Sequence, residues 1–282
     1  MSNFSVIDSF NQGYFNSKDI DLFYQKVSGE HTHCGIFEHP DEDLHIAKKR
    51  TTEYMASLLK IDSKSHLLDL GSGYGGAARY LAKKYGCQVS CLNLSEEQNA
   101  INIERNQEQK LSHLINVSQG SFENLPFPDS KFNAVWAQDS FFYSDTQLQA
   151  FREAHRVLIK GGEFLICTYF FSGDRPSEAD VNKVMNWYTG GIHKVYFLHI
   201  NEYRKVAQEI GMSEVQIIEL TDNVPLNYLQ LLQKMEKNQA EEQLWSQEFF
   251  NKKKQRLLDC YEMGKSGLIQ WGILHYQKES YR

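Results

Sequence analysis

The residues most able to bind a reactive ligand form a glycine-rich loop, Gly71-Ser72-Gly73-Tyr74-Gly75-Gly76, with Asp69 two residues before it. Glycines between a strand and a helix let the backbone approach a ligand closely. The free N–H groups at the start of the helix attract an anion. Because Gly71, Gly73 and Gly76 also satisfy the dinucleotide spacing GxGxxG, the loop alone leaves a nicotinamide enzyme open as the alternative.

Asp69 distinguishes between these two cofactors. A carboxylate at the strand end repels a pyrophosphate, at roughly 4 kcal/mol for like charges about 4 Å apart in an effective dielectric near 20. The same carboxylate suits a cationic ammonium group, such as that of the methionine part of S-adenosylmethionine. A purely structural role, in which Asp69 caps the turn, stays open. The sequence therefore predicts an S-adenosylmethionine site and methyl transfer.

Further candidates stand where the next two predicted strands end. Asn93 lies about 20 residues beyond the loop, where a ribose-binding residue is expected. Its amide can accept from one ribose hydroxyl and donate to the other, although it could instead cap the following helix. Ser121 and Phe122 suit the edge and the face of an adenine ring. A role for Phe122 as core filler is the alternative.

The fourth predicted strand ends in a polar and aromatic group that includes Gln138, Asp139 and Tyr143. Ligands of parallel sheets bind outside the carboxyl ends of the strands. We therefore expect these three side chains to position substrate near the transferred methyl group, with no firm general base among them.

The elements that position these residues alternate strictly between strand and helix, which predicts a parallel sheet covered by helices on both faces. The predicted strands are His66–Leu70, Gln88–Leu94, Ile115–Gln119, Phe132–Gln138, Glu163–Tyr169, Val215–Leu220 and Leu268–Tyr276. Residues 172–200 are predicted to form a long loop with a short helix, and residues 226–263 are predominantly helical and charged.

The composition is that of an ordinary globular protein, with 41% hydrophobic residues and a net charge of −6. No basic block favours nucleic acid, and Lys252-Lys253-Lys254 is interpreted as the solvated face of a helix. No apolar run is long enough to span a membrane. Five cysteines without framework spacing indicate a reducing compartment, so we expect a cytoplasmic protein.

The combined motifs resemble the class I S-adenosylmethionine-dependent methyltransferases. The matching segments are Leu67 to Gly75, Cys91 to Ser95, Gly120 to Phe127, Phe132 to Asp139, and Arg156 to Gly162, where Lys160 replaces the proline of the family's RVLKPGG. The resemblance implies a Rossmann-like, seven-stranded α/β fold and the product S-adenosylhomocysteine. We expect a helical lid over residues 1–60, and a methyltransferase domain over 61–282 with a helical insertion at about 223–266.

A finer resemblance concerns Tyr24 to Phe37, which is similar to the "HxGxY" lead-in of small-amine methyltransferases. With Asn93 to Gln98 and Trp136 to Asp139, it most resembles the sarcosine/dimethylglycine N-methyltransferases of the glycine betaine pathway. Phe37 stands where tyrosine is common, and Tyr143 where relatives often carry a histidine. The implied methyl acceptor is a small amine.

The predicted cofactor contacts are Tyr24, His33, Asp69, Gly71, Gly73, Gly75, Asn93, Leu94, Gln98, Ser121, Phe122 and Gln138. A carboxylate-bearing substrate needs a cationic clamp. The candidates for substrate contacts are Arg175, His193, Lys194, Tyr196 and Arg204. A cation–π cage from Tyr24, Phe142, Trp187 and Tyr196 is a further expectation.

Several alternatives stay open. Phosphoethanolamine methyltransferases and lipid-type enzymes (cyclopropane synthases, sterol and tocopherol methyltransferases) share the fold. More remote are an NAD-dependent oxidoreductase and a non-catalytic binding protein. The spacing of His31, His33, His39 and His45 fits no zinc pattern, so no metal is predicted. We expect a monomer or a homodimer.

Overall fold

The computed structural model describes residues 6–144, 146–174, 176–189 and 195–280. Within them, one sheet has the order β3-β2-β1-β4-β5-β7-β6, in which β7 runs antiparallel to both of its neighbours and the other pairs are parallel. The strands are β1 (His66–Leu70), β2 (Gln88–Asn93), β3 (Ile115–Gln119), β4 (Phe132–Gln138), β5 (Leu158–Phe170), β6 (Met212–Glu219) and β7 (Gln270–Lys278). This architecture confirms the predicted α/β class.

Helices cover both faces of the sheet. They are α1 (Val6–Phe15), α2 (Lys18–Phe23), α3 (Leu44–Ser57), α4 (Gly76–Tyr85), α5 (Glu96–Glu108), α6 (Gln147–Val157), α7 (Glu178–Thr189), α8 (Ile200–Ile210), α9 (Asn223–Glu242) and α10 (Gln247–Lys265). A π-helical turn, Tyr24–Ser28, follows α2, and a 3-10 turn, Phe141–Tyr143, follows β4. The polypeptide between β6 and β7 thus forms the paired helices α9 and α10.

The fifth strand differs from its prediction. It begins at Leu158 and includes Gly161 and Gly162, whereas the predicted strand begins at Glu163. Phe132 pairs with Leu158, but Ala134 pairs with Glu163, so the extra residues form an irregularity inside the strand. The glycines allow it because Gly161 has φ +72°, a conformation that a β-carbon disfavours.

The sheet separates two hydrophobic clusters, since successive side chains of a strand point to opposite faces. Trp136 and Trp271 belong to the cluster beneath α9 and α10, and Phe151 and Phe164 to the one beneath α6 and α8. No helix among the described residues is long and apolar enough to cross a membrane.

The N-terminal segment lies against the carboxyl ends of the strands and is held there by polar contacts. Glu30, in the loop after the π-helical turn, pairs with Arg79 of α4 over 2.8 Å. Arg79 is 2% exposed and also donates to Asn102 and Asn106 of α5. The loop that precedes α3 is therefore fixed to the helix that follows the glycine loop.

Candidate active site

A cavity of about 1160 Å³ of empty space opens where the strand ends meet the N-terminal segment, α9 and α10. Its walls combine glycine backbone, amides, phenols, one carboxylate and two cations. The lining residues from the sheet side are Gly71, Gly73, Asn93, Leu94, Gln98, Phe122, Gln138, Asp139, Ser140, Tyr143 and Ser144, and those from the helical side include Phe15, Tyr24, Ser28, Thr32, Cys34, Tyr188, Tyr228, Lys253 and Arg256.

Glycine is required at two positions of the loop after β1. At Gly71, with φ +73°, an added β-carbon would lie 2.3 Å from the Ser140 β-carbon. Gly75 has φ +78° at the start of α4, and a β-carbon there would lie 2.0 Å from Asn102 Oδ1. Gly71 and Gly73 line the cavity, whereas Gly75 shapes the turn.

Asp69 is 3% exposed, and its Oδ2 receives no hydrogen bond from any residue that the structure describes. Burial raises the pKa of this carboxyl to about 7. An orphaned, desolvated carboxylate is costly unless a cation or a donor reaches it. The turn-capping alternative is not supported, since no loop N–H of the described residues bonds to the Asp69 side chain. Asp69 is not among the residues that line the cavity, so its contact with a ligand ammonium stays a prediction.

The end of β2 presents Asn93, Leu94 and Gln98 to the cavity. The Asn93 amide donates to Gln98 Oε1 at 3.1 Å. Ser95, rather than Asn93, caps α5 by accepting from the Gln98 backbone N–H. The side chain of Asn93 is therefore available to the cavity, as a ribose contact requires.

Of the two adenine contacts predicted at the end of β3, one lines the cavity and the other does not. Phe122 lines the cavity and stacks on Phe141 with ring centroids 6.1 Å apart. Ser121 instead donates to a Glu123 carboxylate oxygen, and the other oxygen of that carboxylate accepts from Ser144. Because Ser121 does not line the cavity, the predicted adenine bond from its hydroxyl is not supported by this geometry.

The end of β4 places Gln138 and Asp139 in the cavity wall. Asp139 Oδ2 accepts from the Cys34 backbone N–H at 2.7 Å, and Oδ1 accepts from Trp271 Nε1 at 2.8 Å. Burial raises the pKa of Asp139 to about 6. Gln138 Oε1 accepts from Thr52 at 3.4 Å, and its buried Nε2 has no acceptor among the described residues.

Tyr24, predicted to contact the cofactor, and Tyr143, predicted to position the substrate, both line the cavity. Burial is the largest influence on both groups and raises the pKa of each phenol above its usual value. They stay neutral at physiological pH, so they act as hydrogen-bonding groups and not as phenolate bases.

His33 is buried and is not among the residues that line the cavity. Its Nδ1 lies 2.9 Å from the Cys34 carbonyl, and its Nε2 lies 3.1 Å from Thr52 Oγ1 and 3.2 Å from His31 Nδ1. Burial lowers the pKa of His33 well below its usual value. The geometry thus gives His33 a role in fixing the loop before α3, and the prediction that it contacts the cofactor is not supported.

The predicted substrate contacts lie elsewhere. Arg204 pairs with Glu214 over 2.8 Å on an exposed surface, because α8 turns this face to solvent. Tyr196 does not line the cavity, and its backbone bonds Phe142 and Gln147. Arg175, His193 and Lys194 lie outside the described residues. Neither Arg204 nor Tyr196 is therefore placed to clamp a substrate.

Three of the four rings predicted to form a cation–π cage do not line the cavity. Phe142 is completely buried in the core, and Trp187 lies under the Lys183 ammonium at 4.6 Å. Of the four predicted rings, only Tyr24 lines the cavity. The aromatic lining residues are Phe15, Phe23, Tyr24, Phe122, Tyr143, Tyr188 and Tyr228.

Two cations that the sequence interpretation missed stand on α10. Lys253 is 5% and Arg256 is 8% exposed, and both line the cavity. The Lys253 ammonium lies 4.0 Å from the centre of the Phe23 ring, and Arg256 Nη1 donates to the Tyr14 hydroxyl at 3.3 Å. The interpretation of Lys252-Lys253-Lys254 as a solvated face is wrong for its middle residue.

A signal for these cations was present in the sequence. Lys253, Arg256, Leu257, Cys260 and Met263 follow the i, i+3, i+4, i+7 spacing of a buried helical stripe. Two basic residues inside such a stripe indicate buried cations, and lysine and arginine are almost never fully buried unless they are paired.

The chain is a class I S-adenosylmethionine-dependent methyltransferase in its fold and in this site. The glycine loop after β1, the unsatisfied Asp69 oxygen and the lining residues Asn93 and Phe122 follow one another along the chain at the carboxyl ends of the strands. A family profile described as a methyltransferase domain matches residues 68–166. Among the described residues, no group of His, Cys, Asp and Glu side chains is arranged to hold a metal ion.

Comparison with known proteins narrows the class. The chain is 36% identical to a sarcosine/dimethylglycine N-methyltransferase of Halorhodospira halochloris, with 94% of each chain covered. It is 37% identical to the sarcosine/dimethylglycine N-methyltransferase of Aphanothece halophytica, over 95% of this chain and 96% of that one. A solved structure of a candidate sarcosine dimethylglycine methyltransferase from Galdieria sulphuraria has 30% identity and a TM-score of 0.85, and covers 93% of this chain and 99% of its own. The chain belongs to the family of the sarcosine/dimethylglycine N-methyltransferases.

Proposed function

We propose that this enzyme transfers methyl groups to the nitrogen of sarcosine and dimethylglycine, and so makes glycine betaine. The observation that carries the proposal is the pair of buried cations, Lys253 and Arg256, in the wall of the cavity. Both acceptors are small amino acids with a carboxylate, and a planar guanidinium binds a carboxylate with two parallel hydrogen bonds.

The energetics of α10 support an anionic ligand. Burial lowers the pKa of Lys253, because removing an ammonium from water disfavours its charged form. Lys253 forms no ion pair with any residue that the structure describes. A substrate carboxylate bound between Lys253 and Arg256 supplies the counter-charge that Lys253 lacks. The surrounding aromatic rings strengthen this attraction by excluding water.

The nitrogen end of the substrate is then assigned to the other wall, near Gln138 and Asp139 at the end of β4. The Asp139 carboxylate favours a positive charge there, and the phenols of Tyr24 and Tyr143 offer electron-rich surfaces to the methylated nitrogen. The cofactor, held by the glycine loop, Asp69, Asn93 and Phe122, supplies an already activated methyl group. The protein's contribution is therefore orientation and the exclusion of water.

Lipid-type acceptors are disfavoured by the same wall. A long apolar substrate would have to cover the buried ammonium of Lys253 and would leave it without a counter-charge. The cavity of this chain is thus better matched to a small zwitterion than to an acyl or prenyl chain.

The test is a substrate panel with isotope-labelled methyl donor. We expect label in dimethylglycine from sarcosine and in betaine from dimethylglycine, and little or none in phosphoethanolamine. Labelling of phosphoethanolamine and of neither amino acid would contradict the proposal. The methyl ester of dimethylglycine is a matched control, because it keeps the amine and removes the negative charge.

A further inference from the structure

Lys48 of α3 is a buried lysine whose side chain ends at the cavity wall. It is completely buried, and its ammonium donates to the hydroxyl of Ser28, a residue that lines the cavity and is itself 1% exposed. The Ser28 hydroxyl in turn donates to the His31 carbonyl oxygen at 3.2 Å. Among the described residues Lys48 forms no ion pair with a carboxylate. A hydrogen-bonded link thus runs from the cavity surface to a buried amine.

The surroundings of Lys48 favour its neutral form. The pKa of Lys48 is lowered to about 7, mainly by burial; Cys34 and Asp139 oppose this shift, and Lys234 adds to it. Three histidines near the same nitrogen also have lowered pKa values, for which burial is the main cause. The titratable groups that face Lys48 are His31, His33, Cys34, His45, Asp139 and Lys234. At pH 7.5 a large share of Lys48 is an uncharged amine, which is a usable base.

The reaction needs such a base. Sarcosine and dimethylglycine are ammonium ions near neutral pH, since an alkyl amine has a pKa of about 10. An ammonium nitrogen has no lone pair to attack a methyl group. Asp139 already accepts a hydrogen bond on each of its oxygens, and the phenols of Tyr24 and Tyr143 stay protonated.

We propose that Ser28 and Lys48 take up the proton that the substrate ammonium loses before methyl transfer. The inference rests on the proposed function. The N–H bond of the ammonium breaks, its electron pair stays on nitrogen, and the proton passes to Ser28 Oγ. For this step the Ser28 hydroxyl turns from the His31 carbonyl to the neutral amine of Lys48. Its proton moves to Lys48 Nζ, so that Ser28 is unchanged and Lys48 becomes an ammonium. Ser28 contacts the substrate, and Lys48 acts through it as a positioning residue.

The pH dependence of kcat/KM for dimethylglycine tests this proposal. The neutral fraction of Lys48 rises through pH 7, so the wild-type value should rise there and level off above about pH 8. Without the lysine, the enzyme depends on the rare neutral substrate, so in Lys48→Met the value should rise tenfold per pH unit towards pH 10. At pH 7.5 we expect a loss of about 100-fold. Superimposable profiles for wild type and variant would overturn the proposal.

Matched variants separate proton uptake from structure. Lys49→Met alters the adjacent residue of α3, which is 60% exposed, and should leave the profile unchanged. Lys48→Arg keeps the positive charge but cannot accept a proton, so it should behave like Lys48→Met; a wild-type profile in Lys48→Arg would overturn the proposal. If Lys48→Met does not fold, Ser28→Ala takes its place with the same expected profile.

A second readout does not need turnover. In protein labelled with [ε-¹³C]lysine and saturated with S-adenosylhomocysteine, one lysine signal should titrate near pH 7 and be absent from Lys48→Arg. No such signal would overturn the proposal. These results test only the proton acceptor. The proposed function would fail separately, if no methyl group were transferred to sarcosine or dimethylglycine at any pH.

Discussion

The backbone N–H of Cys34 donates to Asp139 Oδ2 over 2.7 Å, and this bond joins the N-terminal segment to the end of β4. The other oxygen of Asp139 accepts from the indole of Trp271 in β7. Asp139 itself has φ +49°, a left-handed conformation that is uncommon for a residue with a β-carbon. A single half-buried carboxylate therefore connects three parts of the chain at the wall of the cavity.

This relationship predicts the effect of Asp139→Asn. The amide keeps one acceptor oxygen and sets an NH₂ against a donor, so one buried N–H loses its partner. We expect the free energy of unfolding to fall by about 1–3 kcal/mol and kcat to fall with it. Urea denaturation and initial rates measure the two effects. Asp41→Asn, at an exposed residue of the same N-terminal segment, is the control, and equal stability of the two variants would contradict the account.

Asp69→Asn should separate stability from cofactor binding. The pKa of Asp69 is raised to about 7, so between pH 4 and pH 7 the folded protein holds a proton that the unfolded chain has lost. Its contribution to stability therefore falls as pH rises through this range. The asparagine variant should lose that part of the pH dependence in denaturation measured at pH 5 and pH 8.

The same variant should bind S-adenosylhomocysteine at least about tenfold more weakly, because the ligand's ammonium loses its counter-charge. Isothermal titration calorimetry at pH 7.5 measures this affinity. An affinity equal to that of the wild type would show that Asp69 is only a structural residue of the turn.

Gly71→Ala and Gly173→Ala form a matched pair. Both glycines have φ +73°, but an added β-carbon meets Ser140 at 2.3 Å in the first and nothing within 4 Å in the second. Gly173→Ala should cost the left-handed penalty alone, about 1–2 kcal/mol. Gly71→Ala should lose more stability, together with most cofactor binding. Equal thermal shifts in the two variants would argue against a close approach at Gly71.

The strand-end half of the site could be predicted from sequence because its information is local. A parallel strand, the residue that ends it and the following turn are contiguous, so Asp69, Asn93 and Phe122 stand at recognisable spacings. For Ser121, the position at the strand end could be predicted from the sequence, but the partner of its hydroxyl could not. The carboxylate that takes its hydroxyl depends on how Glu123 and Ser144 pack.

The helical half depends on contacts between distant parts of the chain. Lys253 meets Phe23, and Arg256 meets Tyr14, over separations of more than 200 residues that no local pattern encodes. Arg204 was a reasonable candidate by residue type, but Glu214 of the antiparallel edge strand holds it at the surface. Sequence periodicity can mark α10 as carrying buried cations, but it cannot say that they face the methyl donor's cavity.

Arg256 offers the sharpest kinetic prediction. Arg256→Met should raise KM for dimethylglycine by about 10- to 150-fold, the range for a lost hydrogen bond to a charged group, while affinity for S-adenosylhomocysteine stays within a few-fold. Arg256→Lys should recover part of the loss, since it restores charge without the planar fork. Lys252→Met is the control on the exposed side of α10. An unchanged KM in Arg256→Met would remove this residue from the substrate site.

The most direct test of the central claim is a crystal structure with S-adenosylhomocysteine and dimethylglycine bound. We predict that the substrate carboxylate lies within hydrogen-bonding distance of Arg256 and Lys253. The substrate nitrogen should lie on the side of Gln138 and Asp139, facing the cofactor sulfur. A carboxylate bound away from α10, or a nitrogen turned towards the two cations, would contradict it.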